Sequence, residues 1–155
     1  MKVIIIMGSS SDKEWATKIE DNLKTWDLEF EEHILSAHKV PEMVFDLVTK
    51  LNQEKDIVYI TIAGRSNGLS GVTAANSIHP VIACPPFSSK EDMMVNIHST
   101  LQMPSATPVL TVLDPKNVAD ACARILGLSN DDMQSKVVDK IKDINVGLLF
   151  FSSEI

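Results

Sequence analysis

Three short runs constrain this chain more than any other feature: VIIIM at 3–7, DIVYITIA at 56–63 and PVLTVL at 108–113. Each is apolar nearly throughout and rich in β-branched Val and Ile. A strand with one face in water alternates apolar and polar side chains, whereas a strand covered on both faces has no need to. The runs are far shorter than the roughly 20 apolar residues that cross a bilayer, so they predict buried strands. The first of them stops at Gly8 and is also too short for an export signal.

The full set of expected strands is 2–7, 29–35, 56–62, 79–84 and 108–113. Helix-period segments separate them. Trp15, Ile19, Leu23 and Trp26 recur at helical spacing, as do Met43, Leu47 and Leu51, and then Met94, Ile97 and Leu101. Strands alternating with helices imply right-handed crossovers and a parallel sheet. The expected fold is therefore α/β: a three-layer αβα sandwich whose five parallel strands follow the flavodoxin-like order 2-1-3-4-5.

A last helix is expected from about 130 to 148, capped by Ser129 or Asn130, with Asp131 and Asp132 at its positive end. Its apolar stripe is Met133, Val137, Ile141, Ile144 and Leu148, and the apolar tail Leu148–Phe151 follows. No strand comes after it, so the helix must pack on the domain's own flank or on another subunit, and the apolar tail favours the neighbouring subunit. Residues 1–155 read as one domain, with no linker or repeat.

The formal net charge of −7 argues against a broad nucleic-acid surface, which needs a basic stripe. It leaves room for one small anion pocket built from local donors. The two cysteines, Cys84 and Cys122, have no metal-ligand spacing, which fits a reduced, cytoplasmic protein.

In an open parallel sheet, ligands bind beyond the carboxyl ends of the strands, so the residues after each strand carry the functional reading. Gly8-Ser9-Ser10-Ser11-Asp12 follows the first strand. Its hydroxyls and helix N–H groups suit a phosphate or sugar hydroxyls, and Asp12 suits a ribose diol better than a phosphate. The plainer alternative is that Ser11 or Asp12 merely caps the helix. Ser36-Ala37-His38-Lys39-Val40-Pro41 follows the second strand, with Pro41 in the first turn of a helix and His38 in the loop before it. Gly64-Arg65-Ser66-Asn67-Gly68 follows the third, and Cys84-Pro85-Pro86 the fourth. Cys84 reads as a buried strand-end thiol rather than a nucleophile. His33, His79 and His98 read as structural. Four loops thus converge on one edge, with one candidate proton carrier, His38, and two cations, Lys39 and Arg65. No metal-ligand spacing, P-loop or G-x-G-x-x-G is present.

The ordered motifs GSSSD (8–12), SAHK (36–39), AGRSNGL (63–69), CPP (84–86) and LQMP (101–104) resemble the aminoimidazole ribonucleotide (AIR) carboxylase family of purine biosynthesis over nearly the whole chain. The resemblance implies carboxylation of AIR at ring carbon C4 to give carboxyaminoimidazole ribonucleotide (CAIR), without metal, biotin, ATP or any other cofactor. It also implies a homo-octamer. One branch of the family is a mutase that rearranges a carbamate of AIR; the other carboxylates AIR directly with CO2. The mutase branch typically carries SAHR and AGGAAHLPG, so SAHK and AGRSNGL resemble the direct branch. The mutase is the alternative. By the same resemblance, His38 and Lys39 are the candidate catalytic residues, His38 as the proton carrier and Lys39 on phosphate or carboxylate. Gly8, Ser9, Ser11, Asp12 and Ser36 are nucleotide contacts. Gly64, Arg65, Ser66, Asn67 and Gly68 lie near the carboxylation site.

The chemistry is sound without the family. C4 of an aminoimidazole is enamine-like and attacks CO2 unaided, so positioning supplies much of the rate. Backbone N–H groups with Ser66 or Asn67 can stabilise the nascent carboxylate, and a histidine can take the C4 proton. Arg65 either touches that carboxylate or, the favoured expectation, bonds backbone carbonyls and so aims Ser66 and Asn67. A flavodoxin-like nucleotide-binding module is the rival from another class. It usually stacks aromatics on its flavin, whereas this chain has one Tyr and two Trp that both fit the first helix stripe.

Overall fold

A computed structural model describes the backbone of residues 1–152 and the side chains of residues 1–146. The strands are β1 (Lys2–Met7), β2 (Glu29–Ile34), β3 (Ile57–Ile62), β4 (Val81–Ala83) and β5 (Leu110–Thr111). They form one sheet in the order β2-β1-β3-β4-β5, with every pairing parallel. The helices are α1 (Lys13–Thr25), α2 (Pro41–Leu51), α3 (Gly68–Asn76), α4 (Lys90–Leu101), α5 (Pro115–Leu126) and α6 (Asp131–Ser152). The expected fold class and strand order are those observed. The run at 108–113 is the exception to the expected burial: β5 is only Leu110–Thr111, none of 108–113 is buried and Leu110 is 53% exposed, because β5 is the edge strand and pairs with β4 alone.

The central strands are buried on both faces because their residues alternate between two cores. Val3, Ile5 and Met7 of β1 join Val58, Ile60 and Ile62 of β3 against α1 and α5. Ile4 and Ile6 join Ile57 and Tyr59 against α2 and α3. The edge strand β2 carries Glu29, Glu31, Glu32 and His33 instead, which discourages pairing with another chain. Lys13 Nζ donates to Glu20 (3.0 Å) and Glu32 (2.7 Å), tying α1 to that edge.

Three helix expectations need correction. On α2, Leu51 is buried and Leu47 packs half-buried on the core as expected, but Met43 is exposed and Val44 and Val48 complete the inward face. On α4, Met94 and Leu101 are exposed, and the buried residues are Asn96 and Thr100. The physical reason is pairing: Asn96 Nδ2 donates to Pro86 O (3.0 Å), and Thr100 Oγ1 accepts from Asn67 (3.0 Å). A polar face can turn inward when its groups find partners. Finally, α5 has no counterpart among the expected helices, although it carries the core residues Val118, Ala119, Cys122, Ala123 and Leu126.

Asn130 caps α6 through Met133 N–H (2.8 Å). The start of α6 packs on its own domain. Met133 is buried, and Lys140 Nζ lies 4.0 Å from the Trp26 ring centroid and 2.9 Å from Asp120 Oδ1. Ile141 and Ile144 are exposed. The tail Leu148–Phe151 lies outside the residues whose side chains are described. Among the described residues no helix is long and apolar enough to cross a membrane.

Candidate active site

The carboxyl ends of β1, β2 and β3 surround a cavity of about 330 Å³. Three segments line it: Gly8, Ser9, Ser11 and Asp12; Ser36, Ala37 and His38; and Ala63 to Ser66, with Leu69 as an apolar floor. A larger hollow of about 580 Å³ shares Ser11, Gly64 and Arg65 and continues over Trp15, Phe87 and Asn96. The smaller cavity brings the histidine and the serine loop together, which makes it the candidate site.

The serine loop is built by reciprocal capping. Ser9 N–H donates to Asp12 Oδ2 (3.0 Å), while Ser11 N–H (3.3 Å) and Ser11 O–H (2.9 Å) donate to Ser9 Oγ. Such a box fixes the entry into a helix and here holds Ser9, Ser11 and Asp12 at the cavity wall. Burial pushes the Asp12 carboxyl above its usual range, and the Ser9 N–H opposes that shift. The capping alternative and the ligand reading are therefore compatible, since the same loop does the capping and lines the cavity.

The second segment turns back on itself. Lys39 and Val40 N–H groups both donate to Ser36 O (3.1 and 2.9 Å). This leaves His38 at the cavity. Lys39 is exposed and lies off the cavity lining. The His38 ring lies over Gly68: a Cβ at Gly68 would stand 3.1 Å from Nε2 and 3.2 Å from Cε1. Gly68 lies off the cavity lining, as Lys39 does, and is the crowded glycine behind the His38 ring. Gly8 and Gly64 have room for a Cβ at ordinary contact distances of 3.6 and 3.7 Å.

The third segment departs from expectation. Among the described residues no glycine takes a positive φ, yet Ser66 does, at 52°. A non-glycine residue there costs on the order of 1–2 kcal/mol, so surrounding contacts must hold it. Asn67 supplies them. It is 4% exposed, and its Oδ1 accepts from Ser70 N–H (3.1 Å) and Ser70 O–H (2.8 Å), capping α3. Asn67 thus stays out of the cavity lining, and its amide is engaged in the scaffold. The expected bonding of Arg65 to backbone carbonyls is absent among the described residues. Its side chain is 81% exposed, with Nη2 3.8 Å from Asp92 Oδ1.

Cys84 is buried and accepts from the Trp15 indole N–H (3.3 Å), and burial pushes its thiol up to about 12. An inert thiol matches the structural reading. His79 Nε2 lies 3.2 Å from Leu51 O, away from the cavity. Among the described residues no group of three or more His, Cys, Asp or Glu could hold a metal ion. Sequence reasoning missed Ser70, Ser99 and Thr100, which brace the third segment from behind. The one available signal was Thr61, a hydroxyl inside an otherwise apolar strand.

The AIR carboxylase family model matches residues 2–145. The phosphoribosylaminoimidazole carboxylase of Archaeoglobus fulgidus is 42% identical over 89% of this chain and 76% of its own length. The bifunctional phosphoribosylaminoimidazole carboxylase/phosphoribosylaminoimidazole succinocarboxamide synthetase of Drosophila melanogaster is 38% identical over 92% of this chain, which spans only 33% of it. The crystal structure of Treponema denticola PurE superposes with a TM-score of 0.90 at 38% identity, covering 99% of this chain and 98% of that one. The sheet order, the loops at its carboxyl edge and these likenesses agree: the chain belongs to the AIR carboxylase family of enzymes.

Proposed function

We propose that this chain carboxylates AIR with dissolved CO2 to give CAIR. The observation that carries the reading is the meeting of the Gly8–Asp12 loop, His38 and the Gly64–Ser66 turn around one cavity. Ser9, Ser11, Asp12 and Ser36 hold the ribose and phosphate, with Asp12 on the ribose hydroxyls. C4 of the ring, made electron-rich by its amino substituent, attacks the carbon of CO2. One C–C bond forms, and one C=O π bond becomes the carboxylate. The C4 proton then passes to the His38 imidazole, and its bonding pair restores the aromatic ring. Backbone N–H groups of the Gly64–Ser66 turn and the Ser66 hydroxyl stabilise the carboxylate as it forms.

For Arg65 the less favoured of the two expected roles is taken, and for Lys39 one of the two is chosen. The exposed Arg65 is suited to meeting the substrate's anionic groups directly. Exposed Lys39 is suited to a phosphate arriving at the cavity mouth. The protein works as a homo-oligomer, an octamer by family resemblance. Supporting this, Met94, Val95, Leu101, Ile141 and Ile144 are exposed on α4 and α6.

The test supplies purified enzyme with AIR and CO2, or with separately prepared carbamate. Turnover that rises with CO2 at fixed AIR is expected. Rapid use of the carbamate before it decomposes, with no dependence on CO2, would assign the chain to the mutase branch instead.

A further inference from the structure

Behind the cavity runs a buried chain of side-chain hydrogen bonds that the reaction itself does not use. Thr61 Oγ1 and Ser70 Oγ are 2.6 Å apart; Ser70 O–H donates to Asn67 Oδ1 (2.8 Å); Asn67 Nδ2 donates to Thr100 Oγ1 (3.0 Å). Thr61 and Ser70 are fully buried, and Asn67 and Thr100 nearly so. The proton directions can be assigned. Asn67 Oδ1 also accepts the Ser70 backbone N–H, which fixes the amide orientation, because the other end of the amide cannot accept. Ser70 has one hydroxyl proton and gives it to Asn67, so Thr61 must donate to Ser70. Thr100 in turn donates to Asn96 O (3.4 Å). Every donor therefore points the same way, from β3 to α4, and bonds aligned head to tail reinforce one another. Ser99 adds a parallel strut, its Oγ accepting the Asn67 backbone N–H (3.2 Å).

The chain is anchored on rigid elements at both ends and grips one residue, Asn67, between them. Asn67 sits between left-handed Ser66 and Gly68, the residue beneath the His38 ring. Gly68 N–H closes the turn by donating to Ser66 O (2.6 Å). Strained backbone persists only where its surroundings over-determine it. We infer that Thr100 and Ser70 are positioning residues for catalysis: through Asn67 they hold the Ser66 turn and set the Gly68 floor under His38. This rests on His38 and the Gly64–Ser66 turn being the reacting site.

The experiment compares Thr100→Val with Thr100→Ser. Valine matches threonine in shape but leaves Asn67 Nδ2 without its acceptor, while serine restores the hydroxyl. Kinetics are measured with AIR and CO2 at a temperature where circular dichroism shows each variant folded. Thr100→Val is expected to lower kcat about tenfold or more, since small misplacements are expensive in rate. KM for AIR should stay within about twofold, because the serine loop that holds the nucleotide is untouched, and Thr100→Ser should recover most of kcat. Ser70→Ala should behave like Thr100→Val. Folded Thr100→Val with unchanged kcat and only a lower unfolding temperature would reduce the chain to a stability role and overturn the inference. His38→Asn is run alongside. If that variant is fully active, the site reading has failed; if it is inactive while Thr100→Val turns over normally, only this inference has.

Discussion

Replacing Gly68 by alanine sets a backbone preference against a catalytic distance. Gly68 is the first residue of α3, and its neighbour is the His38 ring rather than backbone. An alanine there favours the helix, by up to about 1 kcal/mol if the position behaved as a helix interior. Its Cβ would come within 3.1 Å of His38 Nε2 and 3.2 Å of Cε1. Ordinary contact is about 3.5–4.0 Å between such atoms, so the ring must retreat by a few tenths of an ångström or rotate. His38 is exposed, so the retreat is inexpensive for folding. It is not inexpensive for proton transfer, which needs a donor–acceptor separation of about 2.6–3.2 Å. Gly68→Ala should thus keep or raise the thermal unfolding midpoint while kcat falls by roughly tenfold, with KM for AIR little changed. Steady-state kinetics and calorimetry on the same preparation measure both. Full turnover in a folded Gly68→Ala protein would show that the seat of the ring on Gly68 has no part in catalysis.

Other outcomes follow from the same geometry. His38→Asn should keep the fold and nucleotide binding while losing about 10²–10⁴-fold in turnover, measured under saturating AIR. Arg65→Ala should lower kcat/KM by about tenfold, the scale of one lost charged hydrogen bond, with no change in unfolding midpoint, because the guanidinium is largely solvated. Asp12 is held above its usual pKa by burial, so folding favours its protonated form; that contribution is complete below the ordinary carboxylate range and is lost as pH rises through the raised value. Asp12→Asn keeps an acceptor for Ser9 N–H and should therefore unfold at a higher temperature near pH 7, with the gain fading as pH falls into the carboxylate range, while nucleotide affinity drops. Sedimentation of the full-length protein should give an oligomer; a stable monomer at micromolar concentration would refute the assembly.

The central strands were legible because their signal is nearly context-free, whereas the apolar run at 108–113 gave only the short, exposed edge strand β5. Ile57–Ile62 is buried at every position, and a run that apolar has few other places to go. The helices were less legible because periodicity reports that a face exists, not which way it turns. On α4 the apolar residues Met94, Val95 and Leu101 are exposed and the polar ones Asn96 and Thr100 are inside, since hydrogen-bond partners from elsewhere in the chain outweigh hydropathy there. The signal for α5 was present and local: Asp114 before Pro115, then small apolar residues at helical spacing. Asp114 Oδ1 caps this helix by accepting from Lys116 N–H (2.7 Å) and Asn117 N–H (3.3 Å).

The site divides along the same line. Gly8, Ser9, Ser11, Asp12, Ser36, His38, Gly64, Arg65 and Ser66 meet around one cavity because topology alone delivers the ends of neighbouring parallel strands to one edge. What topology does not deliver is the direction in which a side chain points. Asn67 and Ser66 are adjacent donors in sequence and look interchangeable as carboxylate ligands. Their backbones separate them: Ser66 at φ 52° stays at the cavity, while Asn67 turns inward to cap α3 and reach Thr100. A left-handed residue at that point reverses the sense of the chain, and glycine would be the usual choice for it. Serine is there instead, at a cost that Ser70 and Thr100 offset through Asn67. The hydroxyl proposed to face the reaction and the amide that turns inward are consecutive residues, and only the fold, through the bond from Asn67 to Thr100 of α4, tells them apart.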